Sequence, residues 1–398
     1  MLTERLEFVP ERDAEVFAAV PAAPAVFLLR GADAQAEPYV SKTANLRRRL
    51  QRLLGPVEER TKKLNLRDRV RLIEYAPTGS DFESGFLLYA VLRAAFLKTY
   101  SARLRFRFAP LVKLHLENEY PRASITTRLG RLNGRSLYSG PFVSRIAAEK
   151  FMNDSLDFFK MRRCVDDLHP DPKFPGCIYS EMKMCLAPCF KGCTDEEYAV
   201  EVNRVQAYFD SAGDSLLRQF SAEREAASAN LAFEEAAAIH ARVEKLKPVL
   251  SQIPEIVQRL DRMSALMIQP SHLGGSVAFF RIASGRIAGP IPFRIQPAEH
   301  AKSQSMESRV EETLALLVPA KAKSALETME HLAMLKRWYY RGSKTGEIFF
   351  ADAKAELPMR RVVRGISRVF RGEKPESEAL PERSSTVAPA ENLHHRGR

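Results

Sequence analysis

All five cysteines of this 398-residue chain (Cys164, Cys177, Cys185, Cys189 and Cys193) fall within 30 residues, with twelve, seven, three and three residues between successive members. A disulfide framework spreads its cysteines along a small secreted chain, and neither description fits here. The start, Met1-Leu2-Thr3-Glu4-Arg5, lacks the basic-then-apolar pattern of a signal peptide. The longest clean apolar run, Phe86 to Leu92, is far shorter than the ~20 residues needed to cross a bilayer. These features predict a cytoplasmic protein, and in a reducing compartment clustered thiols point to a metal. Thiolates are soft ligands suited to zinc or an iron–sulfur cluster, either of which takes four. The seven-then-three spacing is not the paired Cys-x2-Cys of a zinc ribbon, and Met184-Cys185-Leu186-Ala187-Pro188-Cys189 places two thiols on one tight loop. The alternative is five ordinary buried cysteines.

The charge balance adds a second constraint. Sixty-one Lys and Arg against 49 Asp and Glu give +12 and a pI near 9.5, which suggests a polyanionic partner without separating nucleic acid from an anionic membrane surface. Hydrophobic residues at 45% and charged residues at 28% are those of a globular protein, and the length predicts two to four domains.

Along the chain, residues 1–20 read as a polar, acidic segment. Ala25–Leu29 and Pro38–Val40 read as strands around a turn. Leu46, Leu50, Leu53 and Leu54 repeat at helical spacing among Arg47, Arg48, Arg49 and Arg52. Residues 66–76 read as a third strand and 83–100 as a long apolar helix. In Arg103-Leu104-Arg105-Phe106-Arg107-Phe108 the alternation predicts a strand with arginines on one face, contacting phosphate or simply solvated. Residues 195–250 are rich in Ala, Glu and Arg with no Pro before Pro248, and Asn230-Leu231 divides them into an antiparallel helical hairpin. Phe233, Ala236, Ala237, His240, Val243 and Leu246 share one predicted face, available to a partner or to the chain's own core. Residues 276–293 read as a β-hairpin about Ser284-Gly285, and 308–340 as helices. Arg360, Arg361, Arg364, Arg368 and Arg371 punctuate an amphipathic segment suited to nucleic acid, a membrane surface, an acidic partner or plain solvent. The Pro-, Glu- and Ser-rich stretch 372–398 reads as a disordered tail, in which His394-His395 carries no metal expectation.

Taken together, several of these segments resemble the UvrC family of excinuclease subunits. Pro24–Arg30 followed by Tyr39-Val40-Ser41-Lys42-Thr43-Ala44-Asn45-Leu46-Arg47-Arg48-Arg49-Leu50 resembles a GIY-YIG nuclease domain. Glu119-Tyr120-Pro121, Leu137-Tyr138-Ser139-Gly140-Pro141-Phe142 and the cysteine region follow in that family's order. The hairpin at 222–249 resembles the UVR motif that engages UvrB, and 276–293 resembles the segment after it. The resemblance spans residues 12–300. It implies an α/β GIY-YIG-type domain over 12–105, an irregular Cys-cluster region over 106–200, an α-helical UVR hairpin over 201–250, and a small α+β module over 251–371 ahead of the tail. It implies DNA repair by nucleotide excision, with damaged duplex DNA and UvrB as partners and no membrane role. It further implies a [4Fe–4S] cluster on Cys164, Cys177, Cys185 and Cys189, with zinc as the alternative and Cys193 as an extra thiol. Leu231, Phe233, Glu234, Ala237 and His240 become the residues expected to meet UvrB, and Arg47, Arg48, Arg52, Arg103, Arg105 and Arg107 those expected to meet DNA.

Cutting a phosphodiester requires an activated water and a metal to stabilise developing charge. Tyr39, Lys42 and Arg49 match the family's second tyrosine, its lysine and its helix arginine. Phe27 replaces the first tyrosine and cannot relay a proton, while Ala25 and Ser41 replace glycines. The metal-binding glutamate falls on Arg93 or Thr99, the later asparagine on Arg105 or Leu111, and no Asp or Glu occurs from Ser84 to Leu116. A hard cation such as Mg²⁺ needs carboxylate oxygen, and arginine repels it. The expectation is an impaired site on a DNA- and UvrB-binding scaffold, with Mg²⁺ needed only if cutting survives. The alternative is a divergent single-cut endonuclease that uses Glu83 as its metal ligand. After residue 250 only two aspartates occur, Asp261 and Asp352, too few for the acidic triad of a second, RNase H-like cutting domain.

Overall fold

The computed structural model describes residues 2–33, 35–56, 64–130, 135–165, 167–296, 304–319 and 324–374. The expected tail beyond residue 374, with His394-His395, lies outside the described residues. Three four-stranded sheets, all antiparallel in their pairings, carry the mixed α/β fold.

The first sheet is ordered β1 (Glu4–Glu7), β4 (Val70–Pro77), β2 (Ala25–Gly31), β3 (Tyr39–Thr43). Period-two alternation gives it two apolar faces. Ala25, Phe27, Leu29 and Ile73 pack on Phe17 of α1 (Asp13–Ala19) and on Leu46, Leu50, Leu53 and Leu54 of α2 (Leu46–Leu54). Val26, Leu28 and Val40 pack on Leu87, Leu88 and Val91 of α3 (Asp81–Ala95). Asn45 caps α2 by accepting from the Arg48 N–H, and Ser80 caps α3 by accepting from the Glu83 N–H. The acidic segment before residue 20 thus forms a paired edge strand and a helix, which its composition did not suggest. The strand expected over 103–108 does not form. Tyr100–Leu104 is a short helix, α4, and Arg105 ends it in the left-handed region at φ 49. Alternation over six residues cannot distinguish a strand from a helical turn running into an irregular segment.

The second sheet is ordered β6 (Ala123–Thr126), β5 (Leu111–Leu114), β7 (Leu137–Gly140), β8 (Gln258–Arg259). Between its strands the chain forms α5 (Arg145–Leu156), the one-turn α6 (Ile178–Glu181), α7 (Asp195–Asp210), α8 (Asp214–Ala229) and α9 (Phe233–Ser251). The helical hairpin breaks at Asn230-Leu231 as its sequence predicts, with Leu231 left-handed at φ 60. Its buried face is the expected one only in part. Ile239, Val243, Leu246 and Leu250 face the core, whereas Phe233, Ala237 and His240 are exposed.

The third sheet is ordered β11 (Arg286–Arg294), β10 (Ser276–Ala283), β9 (Ser264–Pro270), β12 (Glu347–Phe350). On one face Leu266, Ile268, Val277 and Phe279 meet α10 (Met306–Leu316) and α12 (Met359–Arg371). On the other, Ala265, Met267, Ala278 and Phe280 meet Met329, Leu332 and Leu335 of α11 (Ala325–Tyr339). This second core also takes in the outer face of α3: Phe82 meets Phe280 edge-on with ring centroids 5.1 Å apart, and Phe86 meets His331 at 5.4 Å. Helix α3 is therefore sandwiched between the first and third sheets.

Candidate functional site

On β3, alternation sends Tyr39 and Lys42 to opposite faces of the sheet. Tyr39 lies beside Phe27 with ring centroids 6.1 Å apart, and its hydroxyl accepts a 2.8 Å hydrogen bond from Arg49 on α2. The Nε of Arg49 is buried without a partner among the described residues. Lys42 instead reaches Asp81 at the start of α3 (2.5 Å), a carboxylate shared with Arg341 at 2.8 Å. Tyr39 and Arg49 are thus brought together and Lys42 is not.

The expected DNA-contacting arginines differ in freedom. Arg47 is pinned to the Val20 and Ala18 carbonyls. Arg103 pairs with Glu37 and lies 3.9 Å from the Phe96 ring. Arg48, Arg52, Arg105 and Arg107 are exposed.

The position expected to have lost its carboxylate contains the densest polar cluster. Arg93 donates to Glu327 of α11 at 2.7 Å and to the Tyr89 hydroxyl at 2.9 Å. Tyr89 and Tyr100 each donate to Glu330 at 2.8 Å, and Arg286 lies 3.5 Å from Glu327. Two guanidinium groups therefore balance two carboxylates. Burial, reinforced by Glu330, drives the Tyr89 hydroxyl well above its usual pKa, so it stays a donor. Burial likewise pushes the His331 imidazole down to about 4, and its Nδ1 accepts from the Ile287 N–H at 3.0 Å. Glu83 sits at the other end of α3, buried, with one oxygen accepting from the Gly79 N–H at 2.8 Å and the other 4.0 Å from His272 Nδ1. Burial raises its pKa.

The cysteine segment hangs from one fixed post. The Tyr120 hydroxyl donates to Asp195 at 2.8 Å, the Tyr120 carbonyl accepts from Arg162, and the Pro121 carbonyl accepts from Tyr198 at 2.7 Å. Both ends of the segment are therefore tied to Tyr120-Pro121. Burial pushes the Cys185 thiol up to about 11, and Cys164, Cys189 and Cys177 each add to the shift. Cys189 is likewise raised by burial and then by Cys177 and Cys164, and Cys193 by burial, by Glu197 and Asp195 on α7, and then by Cys189. Cys164 accepts from Arg162 at 3.5 Å and Cys185 from the Ala187 N–H at 3.3 Å. Cys164, Cys177, Cys185 and Cys189 thus feel one another's charge, and Cys189 also acts on Cys193. Among the described residues, no three His, Cys, Asp or Glu side chains are close enough together to hold a metal ion.

Comparison with known proteins finds the same likeness. Residues 110–208 match the family model described as UvrC/Cho excinuclease, middle domain. This is a UvrC-like chain. Over 258 residues it is 29% identical to UvrABC system protein C of Rickettsia canadensis, an alignment covering 64% of this chain and 40% of the relative. The same protein of Rickettsia bellii is 28% identical over 275 residues, 67% of this chain and 41% of the relative. The chain thus spans about two-fifths of the length of the curated relatives it matches. No solved structure matches it. The matched 110–208 segment of this UvrC-like chain contains Tyr120-Pro121, Tyr138–Phe142 and all five cysteines. Pro141, in the second of these motifs, accepts from Tyr340 just beyond α11 (3.1 Å).

At the hairpin tip Leu231 is 72% exposed and Phe233 66%, an apolar pair standing clear of the core, with Glu234, Ala237 and His240 also exposed. What sequence reasoning missed is the contribution of α11: Glu327 and Glu330 lie more than 220 residues from the tyrosines and arginine they bind. Their sole signal was their i, i+3 spacing on an amphipathic helix, which two surface glutamates would share. No helix among the described residues is long and apolar enough to cross a membrane.

Proposed function

We propose that this chain is a nucleotide-excision-repair factor, a UvrC-like scaffold that grips DNA and UvrB without cutting. The observation that carries the reading is Arg93. Where the GIY-YIG resemblance calls for a carboxylate to hold a divalent metal, a guanidinium stands instead, and its partners Glu327 and Tyr89 come from within the fold. Nearby carboxylates exist, but Glu327 is committed to Arg93 and Arg286, and Glu330 to two tyrosine hydroxyls. A hard cation would have to displace charge-assisted hydrogen bonds already made. Phe27 supplies no hydroxyl to relay a proton. Tyr39 and Arg49 remain as a pair that can bind a phosphate oxygen, and Arg48 and Arg52 extend cationic surface along the same helix. Glu83, the carboxylate an endonuclease reading would enlist, is occupied with Gly79 at the opposite end of α3.

Cys164, Cys177, Cys185 and Cys189 would hold the [4Fe–4S] cluster, with zinc the alternative. When bound, such a group cross-links four points of a segment that has little apolar core of its own. Because burial keeps Cys185 and Cys189 protonated at neutral pH, loading releases protons and tightens as pH rises. The exposed Leu231 and Phe233 present an apolar knob suited to a groove on UvrB.

Anisotropy of a labelled damaged duplex, with and without UvrB, tests the reading. The protein should bind duplex alone and form a larger complex with UvrB. Phe233→Ala should lose the larger complex and keep the DNA. If neither DNA nor UvrB is retained, the scaffold reading is wrong.

A further inference from the structure

We propose that α12 is a second DNA-backbone contact, a row of arginines that grips the phosphates of duplex DNA from the third sheet. This inference rests on the DNA-binding reading above and assigns part of it to a helix outside the 110–208 family match. Arg360, Arg364 and Arg371 are four and seven residues apart, so at about 100° per residue they line one side of the helix over about 16 Å. All three are exposed, as is Arg361 beside them. Among the described residues Arg360 and Arg364 are in no ion pair, the Arg364 Nε only approaching the Arg360 carbonyl at 3.4 Å. Arg371 pairs with Glu373, which is itself 46% exposed, and such exposed pairs yield readily to phosphate. From Leu357 to Gly372 there is no Asp or Glu.

Two features argue that the row is not an ordinary solvated face. Arg360 and Arg361 occupy the first turn, where the helix dipole disfavours cations; no acidic residue of the helix offsets them, and only Glu255, 4.0 Å from Arg361, lies opposite. The helix is also rigidly mounted. Arg368 forks onto Glu347 of β12 with two 2.8 Å bonds, and at Gly365 a β-carbon would come within 2.3 Å of the Phe349 ring. Local stability has been sacrificed on the outer side of a helix whose inner side is tightly fitted. A membrane surface is the weaker match, because the apolar stripe it would need, Val362, Ile366 and Val369, is already buried against the sheet. A row of point charges along one side of a helix instead suits the run of phosphates on a duplex.

The test is the salt dependence of binding to a labelled undamaged duplex, measured by anisotropy across a KCl series. Arg360→Gln/Arg364→Gln/Arg371→Gln should reduce the slope of log Kobs against log[KCl] by roughly 2–3, at about 0.9 per lost phosphate contact. The matching triple Lys variant, which keeps the charges, should retain the slope, and thermal midpoints should stay at the wild-type value. A triple Gln variant with the wild-type slope overturns this inference and leaves the DNA-binding reading standing. A wild-type protein that binds no duplex overturns both. Loss of binding to phosphatidylglycerol-containing vesicles with duplex binding unchanged overturns it in favour of a membrane surface.

Discussion

Arg93 illustrates how far a single residue can be read from sequence. Its identity, in a stretch of 33 residues without a carboxylate, is enough to argue against a metal there. Its partners are not legible, because Glu327 lies 234 residues away and nothing local distinguishes it from a surface glutamate. The pairing has a measurable consequence. Arg93→Met takes from Glu327 its 2.7 Å partner and should cost about 2–3 kcal/mol in urea unfolding, whereas Arg93→Met/Glu327→Gln should recover most of that loss. Equal destabilisation by the single and double variants would mean that the pair is not coupled.

His331 carries a second prediction at this scale. Unfolded, the imidazole takes up a proton near 6.5; folded, it resists until about 4, so its stabilisation is present above 6.5 and drains away as pH falls through that window. The loss by pH 4 is on the order of 3 kcal/mol. Glu83, whose pKa burial raises, works with the opposite sign, so the informative quantity is the difference from His331→Asn, which can still accept from Ile287. That variant should flatten the decline of thermal midpoint between pH 6.5 and 4, and an unchanged decline would remove His331 as its cause.

Among the elements, those with sustained apolar period were legible: β2, α2, the β10–β11 hairpin and the break between α8 and α9 stand where the spacing puts them. Short or tertiary-dependent elements were not. The Arg103–Phe108 alternation became α4 and an irregular run, and β1 is held by its pairing with β4 rather than by its own sequence. Of the expected α9 face, Val243 and Leu246 are buried while Phe233, Ala237 and His240 stay exposed, because the packing of α8 decided which stripe to bury. Leu246→Ala, at a fully buried position, should therefore cost about 2–5 kcal/mol. Phe233→Ala, at an exposed one, should stay within about 0.5 kcal/mol while abolishing UvrB capture. Loss of capture only in a destabilised Leu246 variant would place the contact elsewhere.

Across the whole molecule, α3 ties the first sheet to the third, with Leu87, Leu88 and Val91 turned one way and Phe82, Phe86 and Tyr89 the other. At the C-terminal end of α3, Glu327 and Glu330 of α11 take up Arg93 and Tyr89. Metal content probes the other centre of the molecule. Anaerobically prepared protein should contain iron and sulfide, lost on Cys185→Ser and kept on Cys193→Ser, because Cys185 is coupled to Cys164, Cys177 and Cys189 whereas Cys193 is coupled more strongly to Glu197 and Asp195 than to Cys189. Zinc without sulfide would change the cofactor and keep the ligands.

On the proposed reading, an arginine in place of a metal-binding carboxylate at position 93 leaves a protein that holds DNA without cutting it. The most direct measurement is an incision assay on an end-labelled damaged duplex loaded with UvrB, with Mg²⁺ and then Mn²⁺. The account predicts a retained, uncut strand with either metal. A discrete metal-dependent cut 3′ of the lesion, abolished by Glu83→Ala or Glu330→Gln, would contradict it and identify the carboxylate that the metal uses.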